Sequence, residues 1–535
     1  MRLATVTTSA SKFLCFGLMV VSVLASQHAG AEPNASKAPA SAPASAKSAT
    51  PNETLLGEFV VTGVSQERLP KIAILPSLSP DFEDVVLRGV VRRDLELSGL
   101  FDLIDDAKAP PGTYAFQDPV DIEAWRKLGA ESIVKVAAQK NAAGDVQVVG
   151  LAYFLEVGKE PVYEKRFVIK PDEVRVTGHR ITDALLGALT GRPGGFASRF
   201  AFATQWGRNR RIFTMDADGN ALTPATAADT TALSPAWGPG GSLFYSKSVG
   251  YAPFRLYQLA QNKERRIDLG KPGSIYSVAF NKDHTQMALA IADGTGTAIY
   301  TANPDGTNVK RVSTTPLATH PVFSPSGKLA WIGGSDSGTQ RLWLAGKPIS
   351  PAGFTAAAPT FCDTEDGIRA VYAVVVGDHQ DLVISSESGK GTARLTQNQG
   401  SNSYPACSSD GRMLAFFSTR NKQPGLYMMS LKRFTTRKVA NQTGIGLRWD
   451  PLPAPSTGAA PKPAASVADA VPPAATTAPA SAKSPASAAA SAATPTPTPA
   501  TATSPATPTP VAPTKPPAPG PAPNKAPAPA PAPTR

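Results

Sequence analysis

Six short lines of nearly the same shape recur along the second half of the chain, and their spacing limits what it can fold into more than any other feature. Trp237, Phe280, Phe323, Phe361, Cys407 and Trp449 mark successive lines such as "SPAWGPGG" and "HPVFSPSG", at steps of 43, 43, 38, 46 and 42 residues. A second series keeps the same beat: "IFTM" at 212, "LYQL" at 256, "IYTA" at 299, "LWLA" at 342, "LVIS" at 382 and "LYMM" at 426. Repeats of about 40 to 45 residues built from short strands and Gly/Asp turns are the signature of propeller blades with four strands each. The two series are out of phase at their ends. The "IFTM" unit has no opening strand before it, and the last opening strand, "LRWDP", has no follower. Pairing these two leftovers closes a six-bladed ring, whereas a linear array would have no use for them.

Antiparallel strands alternate direction, so the A-to-B turns ("SPSG", "SSDG") and the C-to-D turns ("DADG", "NPDG", "SESG") share one face. They are tight and alike. The connections on the other face vary, as in "SVGYAPF", "GDHQD" and "TQNQGSNSY", and variable connections on a constant frame are where recognition resides. Each D-to-A connection runs into the strand nearest the axis. Ser274 and Tyr276, Thr319 and His320, and Asn402 and Tyr404 therefore crowd around the mouth of the central channel. Tyrosine offers a large contact area with a polar tip, which suits it to the centre of a protein interface.

Upstream of the ring, residues 57–195 alternate strand and helix patterns. "KIAILPS" reads as a buried strand, "DFEDVVLRGVVRRDLELSG" as a helix stopping at Gly99, "ESIVKVAAQ" and "VQVVGLAYFLEV" as strands, and "PDEVRVTGHRITDALLGALTG" as a final helix. The fold class expected is thus an α/β amino-terminal domain plus an all-β six-bladed propeller at 196–453. Arg2 and Lys12 precede the apolar run "FLCFGLMVVSVLA" and a small-residue site ending at Ala31, so 1–31 reads as a secretory signal peptide and the destination as the periplasm. Residues 32–56 read as a flexible leader. The Pro/Ala-rich stretch 454–535 has no aromatic residue and a single acid, Asp469, and reads as a disordered tail.

The formal net charge of +12 invites a nucleic-acid reading. Much of the excess lies in the signal and the tail, at Arg2, Lys12, Lys462, Lys483, Lys515, Lys525 and Arg535, and no dense basic stripe interleaved with aromatics remains. Nucleic acid is not an expected partner. No fragment supports catalysis either. "SGKGT" lacks the upstream glycine of a phosphate loop and aligns with the hairpin turns. "GSDSG" places Asp336 where a nucleophile elbow needs Ser, and "DADGN" brings its Gly too early for a calcium loop. His284 falls in an A-to-B turn while His320 and His379 fall on the opposite face, about 15 Å away across a short strand. No metal or other cofactor is expected. His179 stands in the helix between domains, where a structural hydrogen bond is the simpler role. Cys362 follows the repeated aromatic position and Cys407 occupies it, so the two fall out of register on neighbouring inner strands. Two buried free thiols are favoured over a disulfide.

Two stretches outside the repeats resemble the TolB family of periplasmic propeller proteins of the Tol-Pal cell-envelope system. "GHRITDALLGALTGRPGGFASRFAFA" is similar to the family's interdomain succession through Gly178, His179, Asp183, Leu189, Thr190, Gly191, Gly195, Phe196 and Arg199. "RDLELSGLFDLID" resembles its amino-domain motif in Asp94, Leu95, Ser98, Gly99, Phe101 and Asp105, and "AWRKLGAESIV" follows suit in Trp125, Leu128 and Gly129. The resemblance runs over roughly 57–453. It implies a non-enzymatic adaptor that maintains outer-membrane integrity and constriction at cell division. It further implies that the mouth binds the peptidoglycan-associated lipoprotein Pal, with Thr319 the closest positional match. The family's extended segment that contacts the inner-membrane protein TolA has its counterpart in Glu58, Phe59, Val60 and Val61, here placed after the leader instead of at the mature terminus. The alternative is an enzyme or small-ligand binder working in the channel, against which stand the missing triad, metal set and hydrolase domain.

Overall fold

The computed structural model describes residues 68–78, 81–335 and 338–451. The expected signal, leader, tail, segment 58–61 and Asp336 lie outside them.

The α/β domain is a five-stranded sheet in the order β2-β1-β3-β4-β5. Its strands are β1 (Lys71–Ile74), β2 (Asp102–Leu103), β3 (Ser132–Lys140), β4 (Val146–Phe154) and β5 (Tyr163–Ile169). β1 runs parallel to β2 and β3, and the rest of the sheet is antiparallel. Alternation along β1 separates two cores. Ile72 and Ile74 face α1 (Phe82–Ser98) and α3 (Val174–Thr190), whereas Ala73 and Leu75 pack with Trp125 of the short α2 (Ile122–Lys127). α1 ends at Gly99, whose left-handed φ of 63° lets its N–H reach the Glu96 carbonyl. α1 and α3 touch closely because Gly178 lacks a side chain: a Cβ there would meet Val90 Cγ1 at 2.9 Å.

The remaining strands form six four-stranded antiparallel sheets. The closing strand, Ile445–Pro451, pairs with β6 (Ser198–Trp206), setting Trp449 opposite Phe200. This is the ring closure that the out-of-phase repeats predict. Trp449 is 6% exposed, packs at a tilt against Phe200 with ring centroids 4.8 Å apart, and donates its Nε1–H to Ser198 Oγ at 2.7 Å. Blades 2 to 6 then follow at 231–267, 274–311, 319–348, 356–394 and 402–440. The constant turns share one closure, a glycine N–H bonded to the carbonyl three residues back at Gly219, Gly306, Gly327, Gly389 and Gly411.

One expectation fails. Cys362 and Cys407 form a disulfide, with Cα atoms 5.4 Å apart. The inference of free thiols assumed that neighbouring inner strands share a pleat register. They belong to separate sheets, and each has a bulge upstream of its cysteine. Alternation therefore does not carry across the gap between blades.

Candidate functional site

The ring has two unlike ends. At the constant-turn end the α/β domain is docked through buried polar groups. Arg175 on α3 donates Nη2 to both carboxylate oxygens of Asp218 at 3.0 and 2.8 Å and Nε to Asp216 at 3.2 Å, so it grips the C-to-D turn of blade 1. His179, one turn further along α3, bonds through Nδ1 to Asp94 of α1 at 2.7 Å, and both residues are almost completely buried. Burial opposes a charged imidazole, but Asp94, Asp216 and Asp218 outweigh it and push the pKa of His179 up to about 10. Asp94, His179 and Asp218 place ligand atoms within 4.8 Å of one another. His179 supplies the cation beside Asp94 and Arg175 the one beside Asp218, so the cluster reads as an ion-pair network and a metal is not needed to explain it. Asp183 secures the chain between domains by accepting the backbone N–H groups of Phe196 and Ala197 at 2.6 and 2.8 Å. Arg93 donates to the Lys438 carbonyl and Arg192 to that of Asp363, so blades 5 and 6 are held as well. The hydrophobic core is continuous across this junction, from Leu87 and Leu186 through Phe196 to Met428 and Trp449.

At the other end lies the mouth. Ser274 and Thr319 open the inner strands of blades 3 and 4 and are half-buried. Tyr276 is 43% exposed and rests on Phe254, with centroids 5.9 Å apart. Asn402 is fully buried: it donates Nδ2 to the Gly400 carbonyl and accepts from Ser418 Oγ and Arg420 Nη2, so it shapes the loop from within. His320 and Tyr404 sit deeper, on the channel wall. His284 lines the channel at its turn end. His379 is not in the channel lining; it lies beside Asp378 and Asp381 of blade 5.

Mid-channel geometry repeats in a way the sequence reading did not detect. Every inner strand carries one extra residue relative to the strand it pairs with, at 234–235, 276, 320–321, 358–359, 404–405 and 446–447. Ser234, His320, Ala358, Tyr404 and Gly446 take left-handed φ values between 45° and 65° there. Pro235, Pro321, Pro359 and Pro405 follow, and proline is tolerated at such a bulge on a strand with a free edge. Bulges re-aim side chains. The result is a waist where Ser234, Ser277, His320, Tyr404 and Arg448 meet around a cavity of about 90 Å³. Beyond it the channel widens to about 320 Å³ toward the turn face, where Asp450 lies. The available signal was the X-Pro pair ahead of four of the six repeated lines, at Pro235, Pro321, Pro359 and Pro405; Arg448 and Asp450, flanking the conspicuous Trp449, carried none.

Fold and site together define a two-domain β-propeller with a docked α/β domain, a constant structural face and a variable mouth. Comparison with known proteins sharpens this. Residues 58–150 match the TolB amino-terminal domain family. The Tol-Pal system protein TolB of Polaromonas naphthalenivorans is 30% identical over 183 residues, which are 34% of this chain and 41% of the relative. That of Anaeromyxobacter sp. (strain K) is 27% identical over 231 residues, 42% and 52% of the two chains. The chain thus aligns with about half the length of these curated relatives. The crystal structure of TolB from Acinetobacter baumannii superimposes with a TM-score of 0.60 at 21% identity, covering 72% of this chain and 97% of that one, which shows a shared fold. The chain is therefore similar to TolB proteins at moderate identity.

Proposed function

We propose that this chain is a periplasmic, non-enzymatic adaptor of the Tol-Pal type. Its propeller mouth binds the peptidoglycan-associated lipoprotein Pal, and Glu58–Val61 contacts an inner-membrane protein such as TolA. The observation that carries the reading is the pairing of a TolB-type amino-terminal domain with a six-bladed ring whose turn face is occupied by that domain. Among the described residues, the mouth is left as the broad variable surface. Ser274, Tyr276, Thr319, His320, Asn402 and Tyr404 are its proposed contacts, with Tyr276 the exposed anchor and Asn402 acting through the loop it holds. Such an adaptor would support outer-membrane integrity and constriction at division.

Calorimetric titration of the chain against purified Pal tests the proposal. Substituting Tyr276→Ala and Tyr404→Ala together should weaken binding by at least about 2 kcal/mol, the hot-spot scale. Absence of binding by the unsubstituted chain would overturn the reading, and an unchanged affinity in the double variant would move the contact off the mouth.

A further inference from the structure

The waist of the channel holds a cation with too few partners. Arg448 projects from the closing strand into both the 90 Å³ waist and the wider chamber beyond it. Among the described residues, no carboxylate comes within 4.0 Å of its guanidinium. Among the described residues, the one hydrogen bond its side chain donates is Nη1 to the Leu447 carbonyl at 3.2 Å. A guanidinium has five N–H donors in a planar fork, so most of that donor set faces the cavity. Asp450, two residues on along the same strand, is the nearest acidic influence, and burial pushes its pKa up to about 7 against the pull of Arg448.

The groups that face Arg448 are also suited to an anion. Tyr404 and His320 reach the waist from the left-handed bulges of their strands. Ser277 presents a buried hydroxyl oxygen with no partner among the described residues. Thr319 bonds the Nδ1 side of His320 at 3.1 Å. Burial and the adjacent Arg448 push the pKa of His320 down to about 4, so Arg448 is the charge of the waist. Around these donors Leu233, Pro359 and Ile445 form an apolar collar.

We infer that the waist is a receptor for one carboxylate on a short aliphatic stalk, paired with Arg448 and hydrogen-bonded by Tyr404 and Ser277. The planar fork of arginine matches a carboxylate bidentately. A cavity of about 90 Å³ holds a carboxylate and a few methylenes and little more. The collar selects a stalk of CH₂ groups over a polar ion such as phosphate. A free short-chain acid and the side chain of a Glu or Asp carried in by a protein share this chemistry. The inference concerns the channel and stands apart from the identity of any partner at the mouth.

The test uses the full chain labelled at its histidine Cε1 positions, with the His320 resonance assigned by loss in His320→Gln. Butyrate is the free-acid probe and butanamide its uncharged shape match. Butyrate should move the His320 resonance saturably and raise the pH at which His320 titrates, because neutralising Arg448 removes a repulsive charge. Butanamide should do neither. Arg448→Gln should weaken butyrate at least tenfold, with Arg448→Lys in between. No response up to about 0.1 M butyrate, the weak end of measurable affinity, would overturn the inference. So would an equal response to butanamide, or unchanged butyrate affinity in a folded Arg448→Gln. The amide comparison needs no variant, so it decides the matter even if Arg448→Gln fails to fold. Adding Pal then separates the sources. Competition between Pal and butyrate assigns the carboxylate to the protein partner; butyrate binding undisturbed by bound Pal assigns it to a free acid. Butyrate binding by a chain that ignores Pal would uphold this site while removing the adaptor reading.

Discussion

The two ends of the propeller treat charge in opposite ways. At the turn face, Arg175 and His179 pair with Asp94, Asp216 and Asp218 inside a junction sealed by a continuous core. At the mouth and waist, left-handed bulges at His320 and Tyr404 surround a cation with no carboxylate within 4.0 Å among the described residues. The same four-stranded unit builds both ends. The contrast teaches that a repeat can serve as frame and as site at once, provided that its turns are held constant while the residues at its bulges are free to differ.

The largest expected effect tests whether the frame depends on its last strand. Trp449→Ala removes an aromatic side chain buried against Phe200 and should cost about 3–5 kcal/mol, read as a lower midpoint in urea unfolding; an unchanged midpoint would mean the ring does not rely on that strand. His179→Ala leaves Asp94 buried without its partner and should cost about 3 kcal/mol or more. The pH dependence of this loss separates charge from packing. The folded pKa of about 10 lies above the ordinary 6.5, so the charge contribution is complete below pH 6.5 and disappears as pH rises through 10. The melting-temperature gap between the natural chain and His179→Gln should therefore narrow between pH 7 and pH 10. Next in size is the disulfide. Its partners are 45 residues apart, and Cys407→Ala should cost about 2–4 kcal/mol by the loop-closure estimate, while alkylation of the unfolded, unreduced natural chain should find neither Cys362 nor Cys407 as a free thiol. The smallest effect belongs to the mouth, where Tyr276→Ala should leave stability within about 0.5 kcal/mol. A large loss there would erase the distinction between frame and surface.

Much of the frame was legible because it follows from periodicity. Blade count, strand order and the pairing of "LRWDP" with the strand at 198–206 all follow from two phased series of apolar lines. The helix ending at Gly99 and the structural hydrogen bond of His179 were legible as well. What escaped notice depends on contacts between units that no single line encodes. The disulfide was misjudged because pleat register stops at the edge of each sheet. The waist was missed because a bulge is a mismatch between two strands, visible only once both are aligned. Asn402, expected at the mouth surface, lies beneath it, since a polar residue at a strand start can as readily satisfy its own loop as face a partner.

The strand that seals the ring is also the last part of the ring to be made. Ser198 and Trp449, joined by a hydrogen bond, are 251 residues apart in sequence, so blade 1 waits, three strands wide, while the other five are synthesised. Contacts this distant form slowly. Until the final seven residues arrive, the inner edge of β6 is an open ladder able to accept an equivalent strand from any nearby copy. By then blades 5 and 6 can already be bolted together through Cys362 and Cys407. The order of synthesis thus makes closure a race between a chain's own end and its neighbour's, in which the covalent link between the last two blades holds the chain's own end close to its target.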